Sequence, residues 1–249
     1  MHAPPASELL TVWERGRAQP ATSQALMLLA VASPETHEEE LAKFSVGQRD
    51  EQLLALREAL FGPRLIGLTP CPQCGQQLEL SLAAADLRMA AAPPAPETLV
   101  ASYEGYQANF RLPNSDDLAA VAGQTDEAAI IHRLLSCCLF EVRHEGRQQR
   151  LDSLSSLPPA LIEAIAAEME KADPQANMQL HLNCADCGHQ WVSAFDIVSF
   201  LWSEIDSWAR RLLGEVCMLA SAFGWREADI LAMSGQRRQL YLQLIGEIT

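Results

Sequence analysis

Positive charge is scarce in this sequence of 249 residues, and its shortage excludes one large class of function. Lys and Arg together number 18 against 32 Asp and Glu, so the formal net charge at pH 7 is −14. Proteins bind nucleic acids largely through cationic contacts to phosphate groups, and the sequence shows no obvious basic patch. We therefore expect no nucleic-acid partner.

Long apolar runs and a secretion signal are also missing. The most apolar early stretch, residues 25–32, is much shorter than the roughly 20 residues that cross a bilayer. The first five residues do not begin a basic segment followed by an apolar one, which a signal peptide requires. These absences predict a cytoplasmic protein without a membrane partner.

The motifs of common enzyme classes do not occur. The sequence contains no G-x-G-x-x-G, no G-x-x-x-x-G-K-[ST], no G-x-S-x-G and no H-E-x-x-H. These motifs bind nucleotides, activate a serine or hold a catalytic zinc. The six histidines also lack a spacing typical of a catalytic pair. We expect no catalytic residues, no small-molecule substrate and no enzymatic activity.

Cysteine is present, in a regular arrangement. Structural disulfides are rare in a reducing cytoplasm, so the seven cysteines are metal ligands, core residues or redox groups. Four of them form two C-x-x-C pairs, Cys71 with Cys74 and Cys184 with Cys187. Both thiolates of such a pair can bind one ion, and a closed shell of four thiolates is typical of structural zinc. We predict one structural Zn²⁺ ion bound by these four residues.

The residues that follow each pair are those of a metal-binding knuckle. Gly75 and Gly188 come directly after the second cysteine, where a positive φ is common and only Gly adopts it without strain. Apolar residues alternate with polar ones in 78–82 and 178–182, as in half-buried strands. The two pairs are separated by 109 residues, whereas an ordinary zinc ribbon separates them by roughly 15–20. The pattern therefore predicts a zinc ribbon split by an inserted subdomain.

Other interpretations of the cysteines stay open at this point. A single C-x-x-C can be a thioredoxin-like redox pair, but that motif begins a helix in a βαβ unit, and strands are predicted here. His189 could replace one cysteine as a ligand, although we expect it in a supporting or surface position. Cys137, Cys138 and Cys217 lie in apolar helical patterns and are predicted to be core residues.

Outside the two pairs, helical periodicity predominates. A helix with one apolar face is predicted over residues 47–61. It should end at Gly62-Pro63, which cannot continue a helix. A hairpin is predicted around Glu104-Gly105. Thr125 is predicted to cap a helix whose inward-facing residues are Ile130, Ile131, Leu134, Leu135 and Cys138.

These elements predict an α+β fold that is mostly helical. We assign residues 1–64 to an N-terminal helical region and residues 65–82 plus 177–194 to the split zinc ribbon. Residues 83–176 form the inserted α/β subdomain, beginning with an Ala- and Pro-rich linker over 83–98, and residues 195–249 form a C-terminal helical region.

The C-terminal region concentrates residues that are frequent in protein interfaces. Trp225, Arg237, Arg238 and Tyr241 lie close together in the sequence, and Trp, Tyr and Arg are enriched in interface hot spots. The alternative is that the two aromatic residues pack in the helical core and the two arginines lie in solvent. We keep these four residues as a candidate partner-binding surface.

Several segments together resemble one known family. They are residues 9–14, 47–50 and 61–63, the knuckles at 71–75 and 184–191, the segment 106–118 around Arg111-Leu112-Pro113, and residues 224–242. In these segments the chain resembles the baseplate hub-assembly proteins of contractile-tailed phages and their relatives in extracellular contractile injection systems.

The resemblance implies a role in assembling or stabilising the hub and spike end of a contractile particle. The expected partners are other baseplate, hub or spike proteins, and the protein would act as an assembly chaperone or as a permanent component of a phage-tail-like particle. No catalytic residue transfers from the family. The alternative function is a zinc-ribbon transcription regulator or another nucleic-acid-binding module, against which the acidic balance argues.

Overall fold

The protein has an α+β fold, in which helices are combined with small antiparallel sheets. The computed structural model describes residues 2–89, 96–149 and 157–248. The middle of the predicted linker, residues 90–95, lies outside the described residues. Within the described ranges, no helix has both the length and the apolar character needed to cross a membrane.

The chain begins with helices and then forms its first hairpin. The elements are α1 (Ala6–Gly16), α2 (Ala21–Ala32), α3 (Glu38–Ala42), α4 (Val46–Phe61), β1 (Arg64–Pro70), β2 (Gln77–Ala83) and α5 (Ala84–Leu87). Ser45 and Gln48 form a capping box at the start of α4, which satisfies backbone N–H groups that have no partner within the helix. Gly62 ends α4 with a φ of 84°. The predicted helix and its end are confirmed.

The inserted segment contains a four-stranded sheet and its helices. Its elements are β3 (Leu99–Tyr103), β4 (Tyr106–Phe110), α6 (Ser115–Ala119), α7 (Glu127–Cys138), β5 (Leu139–His144), β6 (Arg147–Gln148), α8 (Pro159–Ala172) and a 3-10 turn (Pro174–Ala176). The strands are antiparallel in the order β3-β4-β5-β6. Glu104 and Gly105 turn the chain between β3 and β4 with positive φ angles, so the predicted hairpin is confirmed.

Two details of α7 differ from the prediction. The helix is capped by Asp126, whose carboxylate accepts a hydrogen bond from Ala128 N, and not by Thr125. Asp and Thr are both good N-caps, so the sequence does not distinguish them. Ile131, predicted to face inward, is 45% exposed.

The chain ends with a second hairpin and three helices. These elements are β7 (Gln179–Asn183), β8 (Gln190–Ala194), α9 (Ile197–Phe223), α10 (Glu227–Leu231) and α11 (Gly235–Ile248). Asp196 accepts a hydrogen bond from Val198 N at the start of α9, and Gly224 ends the helix in the left-handed conformation. At 27 residues, α9 is long enough to run through two parts of the molecule.

Apolar side chains form three clusters along the chain. The first joins α1, α2 and α4 to both hairpins and the first half of α9. The second lies between the four-stranded sheet, α7 and α8. The third joins the second half of α9 to α10 and α11. The two hairpins therefore pack in the cluster of the N-terminal helices and α9, and among the described residues they share no apolar cluster with the sheet of the inserted segment.

Contacts at the start of α4 connect the inserted segment to the N-terminal helices. Ser45 and Asn114 form an isolated antiparallel bridge. Gly47 N donates a hydrogen bond of 2.9 Å to the Asp173 carboxylate, and a Cβ atom at Gly47 would overlap that carboxylate. Asp173 lies near the end of the inserted segment, so its contact with Gly47 holds the chain beside α4 shortly before β7 begins.

Candidate metal centre

The two knuckles have the same backbone geometry. In the first, Cys71 N donates to Gln76 O at 2.8 Å and Gly75 N donates to Cys71 O at 2.9 Å. In the second, Cys184 N donates to His189 O and Gly188 N donates to Cys184 O, both at 2.9 Å. Each knuckle connects the two strands of a hairpin, β1 to β2 or β7 to β8. Local sequence therefore builds the same turn twice.

The glycines of the knuckles adopt the predicted conformation. The φ angle is 74° at Gly75 and 73° at Gly188, a region that favours Gly because it has no Cβ atom. Half-buried side chains alternate with exposed ones along β2, which follows the first knuckle, and along β7, which precedes the second. The predicted turn glycines and strand segments are confirmed.

The tertiary fold brings all four cysteines together. Their sulfur atoms lie within 4.8 Å of one another. Cys71 Sγ lies 3.7 Å from Cys187 Sγ, and Cys74 Sγ lies 3.6 Å from Cys184 Sγ. Cys71 and Cys184 are buried, whereas Cys74 and Cys187 are exposed. The cluster thus has one buried and one exposed ligand from each knuckle.

The sulfur separations fit a metal ion. At a Zn–S distance of about 2.3 Å, two ligands of a regular tetrahedron lie about 3.8 Å apart, close to the 3.6 and 3.7 Å observed. A disulfide would require about 2.05 Å, and all four cysteines are free thiols. Four thiolates leave no open position on a tetrahedral ion, so such a site would be structural and not catalytic.

The electrostatics of the cluster also favour a cation. Burial raises the pKa of Cys71, but the N–H groups of Cys74 and Gln73 and the neighbouring thiols outweigh it and lower that pKa to about 7. At Cys187, the His189 N–H lowers the pKa, whereas burial and the other sulfurs together raise it to about 12. Thiolates at this distance repel one another, and a divalent cation would stabilise all four in the ionised form.

Apolar side chains of the two hairpins face a common cavity. Leu80 and Leu82 from the first hairpin and Leu180 and Leu182 from the second line one cavity of about 160 Å³. Phe195 lines the same cavity. The two hairpins thus turn apolar faces toward each other, with the cysteines at the end where the strands turn.

His189 does not belong to the sulfur cluster. Its backbone N–H lowers the pKa of Cys187, and its backbone oxygen accepts from Cys184 N. Its imidazole stacks on Trp191 with ring centroids 5.8 Å apart. This arrangement agrees with the supporting position that the sequence led us to expect for His189.

The three remaining cysteines differ from one another. Cys138 is 1% exposed, and burial followed by the charge of Asp117 raises its pKa to about 12. Cys137 is half-buried, and its backbone oxygen accepts from Arg111. Cys217, predicted to be a core residue, is exposed on α9; the apolar pattern of that helix did not show which face is covered.

The candidate partner-binding residues occupy different environments. Trp225 and Tyr241 pack partly buried against the third cluster, and their rings meet edge-on at 4.8 Å. Arg237 is exposed and lies over the Tyr241 ring. Arg238 is only 6% exposed and donates to Glu215 at 2.9 Å, so it does not lie in solvent. A partner-binding role for the four stays a prediction.

A buried arginine that the sequence did not single out supports the first hairpin. Arg57 is 2% exposed and donates to both carboxylate oxygens of Glu204, at 2.8 and 2.7 Å. It also donates to Gly62 O at 2.7 Å, directly before β1. Arg57 directly follows Leu56 on the apolar face of α4. A charged residue on an apolar face is the feature of the sequence that could have identified Arg57 as buried and paired.

Comparisons with known proteins give one result that covers most of the chain. A family model described as "T4 bacteriophage base plate protein" matches residues 8–202, which include both knuckles and the inserted segment. Comparisons with curated proteins and with solved structures gave no significant match. The matched region is more than three quarters of the sequence, and the baseplate relationship expected from the sequence is confirmed. This chain belongs to the T4 bacteriophage base plate protein family.

Proposed function

We propose that this protein is a non-catalytic component or assembly chaperone of a contractile phage-tail-like baseplate and hub. It acts by binding other baseplate, hub or spike proteins, and one structural Zn²⁺ ion stabilises it. The observation that carries the proposal is the family match over residues 8–202. We propose no catalytic residue, small-molecule substrate, nucleic-acid partner or membrane partner.

The zinc part of the proposal rests on the sulfur cluster. Cys71, Cys74, Cys184 and Cys187 would be its four ligands, and their spacing fits a tetrahedral ion. The two hairpins would then form a zinc ribbon whose halves are separated by the inserted subdomain. Because the ion would join residues before and after the insertion, it would stabilise the fold and not only a local turn.

Charge supports the choice of partner. A net charge of −14 keeps an assembly protein soluble and favours association with basic surfaces. It also disfavours phosphate backbones, which makes a nucleic-acid-binding zinc module the weaker candidate.

Two measurements test this function. Element analysis of protein purified without a metal-affinity tag should find one zinc per chain, and a chain without bound metal would refute the zinc part. A tagged copy, produced together with the proteins encoded beside it, should co-purify with a baseplate, hub or spike protein. Recovery of the tagged chain alone, or retention on DNA that weakens steeply with salt, would refute the assembly role.

A further inference from the structure

Close contacts in the sulfur cluster run between the hairpins. Cys74 Sγ lies 3.6 Å from Cys184 Sγ, and Cys71 Sγ lies 3.7 Å from Cys187 Sγ. Each contact joins an exposed cysteine of one hairpin to a buried cysteine of the other. A small oxidant can therefore reach one member of each pair, while the other member stays protected beside it.

We propose that the cluster is also a disulfide site, in which peroxide links Cys74 to Cys184 and Cys71 to Cys187 when zinc is absent. The inference deepens the proposed function, since zinc would occupy the same four sulfurs. The hairpins would then stay joined in two chemical states, by a metal ion in a reducing environment and by disulfides in an oxidising one.

The reaction follows the usual steps of thiol oxidation. Hydrogen peroxide accepts two electrons from the thiolate of exposed Cys74, which becomes a sulfenic acid with release of hydroxide. The thiol of buried Cys184 attacks that sulfur, forms the S–S bond and releases water. Oxidation of one sulfur of the second pair, Cys71 and Cys187, to a sulfenic acid and attack by the other thiol complete the second bond, so two peroxide molecules are reduced for two disulfides.

The choice of pairing decides what oxidation does to the protein. A disulfide inside one knuckle would close a short loop and would leave the hairpins unconnected. A disulfide between the hairpins closes a loop that contains the whole inserted segment, which constrains the unfolded chain much more. The observed contacts favour the second pairing, so oxidation should preserve the connection between hairpins and not destroy it.

The test uses the full-length chain, freed of metal with a chelator and then treated with hydrogen peroxide under native conditions. Peptide mapping by mass spectrometry without reduction should find the Cys71–Cys187 and Cys74–Cys184 bonds. The oxidised protein should melt about 10 °C above the reduced, metal-free protein. Bonds within the knuckles, the diagonal pairing, or no disulfide in the folded protein would each overturn the proposal.

Two triple variants, which share Cys217→Ser to remove the exposed cysteine on α9, give a matched comparison. Cys71→Ser with Cys187→Ser keeps the 3.6 Å contact of Cys74 with Cys184. Cys71→Ser with Cys184→Ser keeps one cysteine in each hairpin but neither close contact. Both lose two zinc ligands, yet the first should form its disulfide about tenfold faster; equal rates would overturn the proposal. Because no metal is present, this result is independent of whether the native protein binds zinc.

Discussion

Glycines within helices differ between the family-matched part of the chain and the part after it. In the matched part, a Cβ atom at Gly16 would overlap the ring of Trp202, and one at Gly47 would overlap the carboxylate of Asp173. Close approach of a side chain therefore requires glycine at both positions.

After residue 202, no close approach of a side chain requires glycine at the two helical positions Gly214 and Gly246. At Gly214 in α9 and Gly246 in α11, no described atom outside the neighbouring turns of the helix backbone lies within 4 Å of the place a Cβ would take. Glycine lowers helix stability by roughly 1 kcal/mol relative to Ala. Side-chain contacts thus require glycine at Gly16 and Gly47 but not at Gly214 or Gly246. Both parts nevertheless contain a buried ion pair, Arg49 with Asp50 in the matched part and Arg238 with Glu215 after it.

The largest difference in stability is expected between two cysteine variants, one in the sulfur cluster and one after residue 202. Cys187→Ser should release the metal and lower the free energy of unfolding by several kcal/mol, because binding of structural zinc contributes roughly 10–16 kcal/mol in zinc-finger peptides. Cys217→Ser, at an exposed position after residue 202, should leave zinc content and the melting temperature unchanged. Element analysis and thermal melting check both, and equal behaviour of the two variants would contradict the metal site.

The next largest difference in the free energy of unfolding is expected between substitutions of the two neighbouring arginines of α11. Arg238→Glu buries two carboxylates together and should lower the free energy of unfolding by about 4 kcal/mol. Arg237→Glu loses an exposed cation over the Tyr241 ring, with an expected cost below about 1 kcal/mol. Urea denaturation measures both. A pull-down with Arg237→Glu alone tests whether this surface binds a partner, since that variant should stay folded.

Gly47→Ala should break the contact between α4 and the inserted segment. The new methyl group overlaps the Asp173 carboxylate, and overpacking of this kind costs about 2–3 kcal/mol. Urea denaturation of the variant should show the loss, together with faster proteolysis near residue 173. An unchanged denaturation midpoint would show that Asp173 can move away at little cost.

A pH-dependent effect is expected at Asp50. Burial raises the pKa of this carboxyl from 3.8 to about 6, opposed by Arg49 and assisted by the charges of Asp196 and Asp173. Because the folded pKa lies above the unfolded one, the stability that Asp50 contributes is full below pH 3.8 and is lost as the pH rises to about 6. The free energy of unfolding of Asp50→Asn relative to wild type should therefore rise by about 2 kcal/mol between about pH 4 and pH 7. A difference independent of pH would contradict the raised pKa.

The smallest effect has the opposite sign. Gly214→Ala should raise the free energy of unfolding by about 0.5–1 kcal/mol, since Ala favours the helix and nothing described obstructs its methyl group. The increase should appear as a higher urea midpoint. A loss of stability would mean that α9 is packed more closely at this position than the contacts of the single chain indicate.

Much of the secondary structure follows from local sequence. The α4 helix, its end at Gly62 and the hairpin at Glu104-Gly105 were all predicted, because caps and turn residues act over a few positions. Side-chain burial was predicted less well. Ile131 and Cys217 are exposed although they lie in apolar patterns, since periodicity shows an apolar face but not whether another element covers it.

The two cysteine knuckles are properties of the sequence, because a C-x-x-C pair followed by glycine specifies its turn within six residues. Their meeting is a property of the tertiary structure. It requires the chain to return after 109 residues, and contacts such as Gly47 with Asp173 bring it back. The burial of Arg57 and Arg238 was decided in the same way, by packing between helices distant in the sequence.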